Sequence, residues 1–360
     1  MTESIAGRIL LIELFHGLHG RARLEAAGGW YSVVRSLLLK CVVVLVSGFL
    51  TGEIFLRLVF INGASFSNHS GPIVQRFERN FRLNHFDGSR GPEVQGPKAA
   101  NVARVLVQGD SVTWGQGVAH EDEIYTSLLL KKLQADFRRV QMAVIARPGR
   151  EIDHHLLELV RYGSDIAPDL IIYQFYNNDL EVRSKQPSPR QLWQIPGLHH
   201  FLRPRSYLWY YLDFRLSTIF QESSRIDHLR DLFEGDTPEW REFEFLFREW
   251  ATEAKKHTPR VLVVLYPEGT AIKPGSRYPL ALIHRKVIDL GNELDVATLD
   301  LYQSGRLANV WPDPASLASV NDAHPSALVH ALMAEEIHDD LVTRWPDLFV
   351  PGDEIVSTSY

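Results

Sequence analysis

Short apolar runs alternate with amphipathic stretches along most of the chain after residue 100. Five runs are apolar and rich in β-branched residues, a pattern that predicts buried strands. They lie at 102–108, 140–145, 170–175, 261–266 and 296–300. Apolar residues recur at helical spacing over 125–137, 152–162, 240–257, 284–294 and 326–342. Strands that alternate with helices predict βαβ units, and therefore a parallel sheet with helices on both faces.

A long apolar segment, residues 37–61, precedes this pattern. Lys40 lies near its start, and Glu53 and Arg57 lie near its end at a spacing that allows them to pair in a helix. Positive residues are more frequent before the segment than directly after it, which places the N-terminus on the inner side of a membrane. We expect a single transmembrane helix at about 37–61. A buried or amphipathic helix is the alternative.

Composition and charge exclude several classes of protein. The chain is 45% hydrophobic and 23% charged, as expected for a folded globular protein. Its net charge is −6, and no basic stretch alternates with aromatic residues, so nothing indicates a nucleic-acid partner. The single cysteine, Cys41, excludes an internal disulfide framework and a Cys-rich zinc site.

The pattern divides the chain into segments of different character. Residues 1–62 form the N-terminal segment, and residues 63–100, rich in Gly, Pro, Asn and Ser, are expected to be an extended connector. Residues 101–345 contain the alternating strands and helices and form the main predicted domain, and 346–360 are a C-terminal tail. Within the domain, residues 180–239 form an aromatic insertion that is either a lid or acyl pocket, or an ordinary packed cluster.

Candidate chemistry begins where the first predicted strand ends, in Gly109-Asp110-Ser111. A serine at a strand-to-helix turn exposes its hydroxyl, and its own N–H points to where an oxyanion would form. The same serine would also suit a plain helix cap. The tripeptide alone therefore leaves both interpretations open.

The second and third strands end in further candidates. Gly149 follows the second strand and can donate its N–H to an oxyanion, although a turn glycine explains it equally well. Asn178 follows the third strand, and its amide is a neutral donor that suits an oxyanion hole. Together with Asn177 and Asp179 it would also suit a solvated turn.

A candidate base precedes the last helix. His324 can accept the Ser111 proton, and Asp322 can fix the tautomer of its ring. On its own, a loop histidine before a proline would be called structural, and His324 is distinguished by its neighbouring carboxylate and its place at the end of the αβ pattern. His154-His155, His199-His200 and His16/His19 lack this combination, and we interpret them as surface or packing residues.

Taken together, Gly109-Asp110-Ser111, Gly149, Asn178-Asp179 and Asp322-x-His324-Pro325 resemble the four blocks of the SGNH (GDSL) hydrolase superfamily, including a bacterial membrane-anchored subgroup. The resemblance covers about residues 80–345. In that subgroup, a segment similar to 84–93 precedes the first strand.

The resemblance implies an α/β fold, a three-layer α/β/α sandwich with a flavodoxin-like parallel five-stranded sheet. It implies Ser111 as nucleophile, His324 as base and Asp322 as its orienter. The oxyanion hole would be formed by Ser111, Gly149 and Asn178, with Asp110 and Asp179 in support.

Two positions depart from the family pattern. Tyr176 replaces the usual Gly of the third block, and Asn321 stands where the fourth block usually has Asp. The second departure resembles alginate-type O-acetyltransferase relatives, in which an Asp-x-His spacing makes Asp322 a substitute.

The sequence therefore predicts a serine esterase that needs no metal or organic cofactor. Its substrate would be an acylated small molecule or polysaccharide, or an envelope ester. The domain would lie on the periplasmic or exterior side of a bacterial inner membrane, with a cytoplasmic location as the alternative.

Other functions stay open. The same fold would suit an O-acyltransferase or a catalytically degenerate module that binds glycan or serves as a scaffold. A metal-dependent phosphoesterase using Asp110, Asp179 and His324 is a further alternative from another enzyme class.

Overall fold

The structure, a computed structural model, describes most of the chain between residues 82 and 349. The described residues are 35–58, 82–180 without 87 and 138, 196–202, 205–209, 211–212, 226–272, 275–304, 306–307, 309–311, 313–319 and 322–349. The chain divides into two compact units, Met1–Asn62 and Gly63–Tyr360. Asn321, the side chain of Asp322 and the tail beyond residue 349 lie outside the described residues.

The described part of the first unit is one helix, α1, at Arg35–Leu58. Its 24 residues include a stretch of mean hydropathy 2.0 with no buried part, and its length and composition are sufficient to cross a membrane. The helix begins two residues before the predicted segment, and residues 59–61 of that segment lie outside the described part. Arg57 Nε donates to Glu53 Oε1 at 2.7 Å, the pairing expected from their spacing.

The second unit is built on a parallel five-stranded sheet. Its strands are β1 Ala103–Gly109, β2 Val140–Ala146, β3 Leu170–Phe175, β4 Val261–Leu265 and β5 Ala297–Asp300, in the order β2-β1-β3-β4-β5. All four neighbouring pairs are parallel. The five predicted strands are confirmed, and so is the flavodoxin-like α/β fold class.

Helices cover both faces of the sheet. The described helices are α2 Ser111–Trp114, α3 Tyr125–Asp136, α4 Ile152–Ile166, α5 Pro196–Leu202, α6 Pro238–His257, α7 Ala281–Glu293 and α8 Ala327–Arg344, of which α3, α4, α6, α7 and α8 contribute to the cores. Side chains alternate along β1, so that Leu106 joins the core beneath α4, α6 and α7, and Val105 joins the core beneath α3 and α8. Two separate cores with the sheet between them make the three-layer sandwich.

The segment 82–95 covers the edge strand β2. Asn84 Nδ2 donates to the Val144 carbonyl at 2.9 Å, the Val144 N–H donates to the Pro92 carbonyl at 3.0 Å, and the Ala146 N–H donates to Ser89 Oγ at 2.9 Å. These bonds occupy backbone groups that an open sheet edge would expose. Residues of the expected extended connector are therefore packed here, through polar contacts that hydrophobic patterning does not register.

A small antiparallel pair, β6 Leu317–Ser319 and β7 Asp322–Pro325, precedes α8. The sequence interpretation placed His324 in a loop, whereas His324 lies in β7. Strands of three and four residues are too short to show a period of two in the sequence.

The aromatic insertion 180–239 is described only in part. A helix at 226–233 places Leu229 and Phe233 in the core, both fully buried. Residues 213–225 lie outside the described part. The described residues 226–233 of the insertion therefore pack against the core. A role of the insertion as a lid or acyl pocket stays a prediction.

Candidate active site

The nucleophile candidate opens a short helix directly after β1. Ser111 is the first residue of α2, and Asp110 caps the helix by accepting the Val112 N–H at 2.9 Å. Gly115 ends α2 in the left-handed region, with φ of +77°. Ser111 is 7% exposed, so most of its surface is buried.

Close packing explains why residue 109 is glycine. A Cβ at Gly109 would lie 2.1 Å from Thr113 Oγ1 and 2.8 Å from Gln174 Oε1. Thr113 Oγ1 donates to Gln174 Oε1 at 2.8 Å and is hydrogen-bonded to the Tyr125 hydroxyl at 2.8 Å. The first turn of α2 is therefore held against β3 and α3 by a buried polar network that no other residue at position 109 would allow.

His324 reaches the nucleophile from the other end of the chain. Its Nε2 lies 2.9 Å from Ser111 Oγ, across 213 residues of sequence. In the tautomer with its proton on Nδ1, His324 Nε2 can accept a hydrogen bond from the Ser111 hydroxyl, for which Asp110 Oδ2 at 3.4 Å is the more distant acceptor. This is the geometry of a nucleophile and its general base. Asp322 has its backbone in β7, and its predicted contact with His324 stays a prediction.

The two other oxyanion candidates follow strands that flank β1. Gly149 comes after β2 with φ of +74°, and a Cβ there would meet nothing within 4 Å, so the position is open. Asn178 lies in the 3₁₀ turn 177–180 after β3. Its amide is hydrogen-bonded to Asp110. Both candidates follow the carboxyl ends of their strands, at the same end of the sheet as Ser111.

The two acids predicted to support the site, Asp110 and Asp179, are fully buried at this end of the sheet. Burial raises the pKa of Asp110, while the Val112 N–H, the His324 and His155 rings and the Asn178 amide oppose the rise. Burial, then the neighbouring Asp110 carboxylate, raises the pKa of Asp179 well above its ordinary range. Asp179 Oδ2 accepts the Tyr176 N–H at 2.8 Å, so each acid fixes the backbone of one site turn.

Tyr176, the departure from the family pattern, fits its position. Its φ is not positive, so the turn there does not require glycine. Its hydroxyl donates to Glu268 Oε2 at 2.5 Å, and its ring packs on Tyr266 with centroids 5.9 Å apart. The side chain thereby links the ends of β3 and β4 beside Asn178.

The rival metal site is not assembled. Among the described residues, one group of acidic and histidine side chains has ligand atoms within 4.8 Å of one another: Glu151, Asp153 and His154. Glu151 and His154 already form the capping box that begins α4. The three residues of the phosphoesterase hypothesis, Asp110, Asp179 and His324, do not form such a group.

His330 is a buried residue near the site that the sequence analysis does not single out. It is fully buried in α8, its Nδ1 accepts the Tyr125 N–H at 3.2 Å, and its ring stacks on Tyr125. Burial, then the charges of Arg90 and His324, lowers its pKa from 6.5 to about 3. No local sequence signal distinguishes it from an ordinary core residue.

The low pKa of His330 predicts a component of acid sensitivity. Between about 6.5 and about 3 the unfolded chain takes up a proton at this histidine and the folded chain does not, so stability falls as pH falls. In His330→Gln this component is absent. We expect the wild type to melt above the variant at pH 7, and the gap in Tm to shrink as pH approaches 4. A difference in Tm that stays constant between pH 7 and pH 4 would contradict the low pKa of His330.

Comparisons with known proteins identify relatives by fold only. No protein-family model and no curated protein matches the chain. Among solved structures, TesA is 14% identical, with 66% of this chain and 98% of that chain covered and a TM-score of 0.43. A lipase/acylhydrolase from Enterococcus faecalis is 14% identical, with 70% and 100% covered and a TM-score of 0.42.

A third structure is a catalytic mutant of Axe2, an acetylxylan esterase from Geobacillus stearothermophilus. It is 15% identical, with 66% of this chain and 94% of that chain covered and a TM-score of 0.40. At these identities and TM-scores, the similarity does not by itself support a function for this chain. The functional argument depends on the order of the strands and the positions of the site residues.

Proposed function

We propose that this chain, which has the fold of the SGNH hydrolases, is a serine ester hydrolase that forms an acyl-enzyme on Ser111. The observation that carries the proposal is the 2.9 Å separation of His324 Nε2 and Ser111 Oγ. It occurs at the carboxyl end of β1, where parallel α/β sheets bind ligands. Ser111 also begins a helix, and the partial positive charge of helix N-termini favours a developing oxyanion.

Acylation begins when His324 Nε2 takes the proton of the Ser111 hydroxyl as Oγ attacks the carbonyl carbon of the ester. The carbonyl oxygen becomes an oxyanion, to which the Ser111 N–H, the Gly149 N–H and the Asn178 amide donate. As the tetrahedral intermediate collapses, the bond to the alkoxy oxygen breaks. His324 then returns its proton to that oxygen, and the alcohol leaves.

Deacylation repeats these steps with water. His324 takes a proton from the water as its oxygen attacks the acyl carbon. Collapse of the second intermediate breaks the bond to Ser111 Oγ, and His324 reprotonates the serine. If a sugar hydroxyl replaces water, the same steps transfer the acyl group, so the geometry serves an O-acyltransferase equally.

We propose an acylated carbohydrate or envelope ester as substrate. The support is the sequence resemblance together with the topology inferred from the charges around α1. Turnover of short-chain aryl esters by the full chain in detergent tests the ester hydrolase, and release of acid from an acetylated polysaccharide tests the substrate class. Formation of an acylated sugar instead of free acid would favour transfer. Absence of turnover on every ester would contradict the proposed activity.

We also propose that α1 is a single membrane anchor and that residues 101–345 form the hydrolase domain on the periplasmic or exterior side. The 24 residues of α1 extend for about 36 Å, enough to cross a hydrocarbon core of about 30 Å. Its Glu53–Arg57 pair lies within the last turns of the helix, where charged side chains reach the membrane interface.

The anchor predicts a fractionation result. The full chain is expected to stay with the membrane after an alkaline carbonate wash, because α1 is inserted and not held by charge. Deletion of residues 1–62 should release a soluble domain with the esterase activity of the full chain. Recovery of the intact protein in the soluble fraction would contradict the anchor and leave the esterase proposal unaffected.

A further inference from the structure

Arg90 is a buried cation in the segment that precedes β1. It is 1% exposed, and its side chain donates to three backbone carbonyls. Nη1 donates to the carbonyls of Gly115 at 3.0 Å and Val118 at 2.8 Å, and Nη2 donates to that of Ala119 at 3.0 Å. All three carbonyls belong to the turn that follows the nucleophile, four to eight residues after Ser111.

This turn is closely packed. Gly115 ends α2 with φ of +77°, and a Cβ there would lie 2.6 Å from the Ile124 side chain. Because a guanidinium is a rigid planar fork, its bonds to three carbonyls fix their relative positions more closely than a flexible ammonium can. Hydrogen bonds from a charged donor such as a guanidinium are stronger than those between neutral groups.

Arg90 also lies near α2, which begins at Ser111, and near α8, which follows β7. Its guanidinium lies 5.5 Å from the ring of Trp114, the last residue of α2. Its charge lowers the pKa of His330, which lies in α8, the helix that follows His324. Burial lowers the pKa of Arg90 itself to about 10, so that it remains protonated at neutral pH.

The segment around Arg90 is itself fixed to the sheet. Arg90 forms a β-bridge with Leu83, and the adjacent Ser89 accepts the Ala146 N–H at the end of β2. Arg90 thus connects the edge strand β2 to the turn that follows Ser111.

We propose that Arg90 is a positioning residue that keeps Ser111 Oγ within hydrogen-bonding distance of His324 Nε2 by holding the turn after the nucleophile. The inference rests on the proposed serine hydrolase function and adds a residue that the family's four sequence blocks do not include. A misplacement of about 1 Å in a catalytic pair can lower a rate by about a hundredfold. The alternative is a purely structural role, in which Arg90 contributes only to the stability of the fold.

Arg104 offers a matched control. It is also fully buried, and it donates to the Ile166 carbonyl at 2.9 Å and through Nη2 to Gln141 Oε1 at 2.9 Å. It lies at the start of β1, at the opposite end of that strand from Ser111. A change at Arg104 therefore disturbs a buried guanidinium without touching the site.

The experiment compares Arg90→Lys, Arg90→Met and Arg104→Lys in the full chain. The measurements are Tm, kcat, KM and the rate at which a fluorophosphonate labels Ser111. We expect Arg90→Met to lower kcat and the labelling rate about a hundredfold, with KM nearly unchanged. Arg90→Lys should lower both less, about tenfold, because it keeps the charge but not the fork. Arg104→Lys should lower Tm and leave both rates within about twofold of wild type.

Each outcome decides the proposal. Wild-type labelling rates in folded Arg90→Lys, with a loss of Tm like that of Arg104→Lys, would overturn it and leave a structural arginine. If Arg90→Met does not fold, Arg90→Lys alone decides on the same criterion. If the wild type itself is not labelled at Ser111, the proposed hydrolase function fails and the Arg90 proposal fails with it. Failure of the hydrolase function is distinguishable from failure of the Arg90 proposal alone, because it is seen in the wild type without any variant.

Discussion

Replacing Ser111 by alanine is expected to lower kcat for ester hydrolysis by on the order of 10⁴-fold or more while leaving the fold intact. The hydroxyl is the atom that forms the acyl-enzyme, and alanine has no substitute for it. The helix cap does not depend on this side chain, because Asp110 accepts the Val112 N–H. The Tm of Ser111→Ala should therefore stay close to wild type, and kcat is measured with a short-chain aryl ester.

Thr237 provides a matched hydroxyl control for the interpretation of Ser111 as a mere helix-start residue. Thr237 caps α6 by accepting the Trp240 N–H at 3.1 Å, and it is not one of the candidate site residues. Thr237→Ala should cost about 1 kcal/mol of stability and leave kcat unchanged. Turnover by Ser111→Ala comparable to wild type, with a loss of stability like that of Thr237→Ala, would end the serine hydrolase interpretation.

Asp322→Asn is expected to lower kcat about a hundredfold or more with little change in Tm. When His324 takes the Ser111 proton, its ring becomes an imidazolium, and a carboxylate both accepts Nδ1–H and stabilises that charge. An asparagine accepts the same hydrogen bond only through its amide oxygen and adds no charge. In serine proteases the corresponding change, which is the standard worked example of this effect, costs about 10⁴ in kcat.

The competing interpretation is that Asp322 only stabilises the start of α8. The position of the residue argues against it, because Asp322 lies in β7, and α8 begins at Ala327 with Ser326 as its cap. Effects of the helix dipole fall off within the first turn. Asn321→Ala is the matched control and should lower kcat much less. A strong loss for Asn321→Ala, with none for Asp322→Asn, would reverse the assignment and indicate a dyad with a neutral orienter.

Much of the fold follows from local pattern. Buried parallel strands are continuous apolar runs such as 170–175, and their ends bring Ser111, Gly149 and Asn178 to one edge of the sheet. Strand ends and sheet order carry this information, because parallel topology fixes where each strand terminates. His324 comes from outside the parallel sheet; its Nε2 lies 2.9 Å from Ser111 Oγ, and its role as base stays a prediction.

Other features depend on contacts that leave no local pattern. Arg90 is a single polar residue whose partners lie 25 to 29 residues further along the chain, and nothing near it indicates that it is buried. The cover of β2 by 82–95 consists of polar and backbone hydrogen bonds, which hydrophobic periodicity does not detect. The β6–β7 pair is formed by strands too short to show alternation, so His324 was expected in a loop.

Labelling by a fluorophosphonate probe tests the central claim most directly, because the probe reacts covalently only with an activated serine. The full chain in detergent is treated with the probe, and the modified residue is identified by peptide mass spectrometry. The account predicts one adduct per chain, on Ser111, that is lost in Ser111→Ala and formed far more slowly in His324→Ala. A chain that folds but takes up no probe, or takes it up at another serine, would contradict the claim that Ser111 and His324 form a catalytic pair.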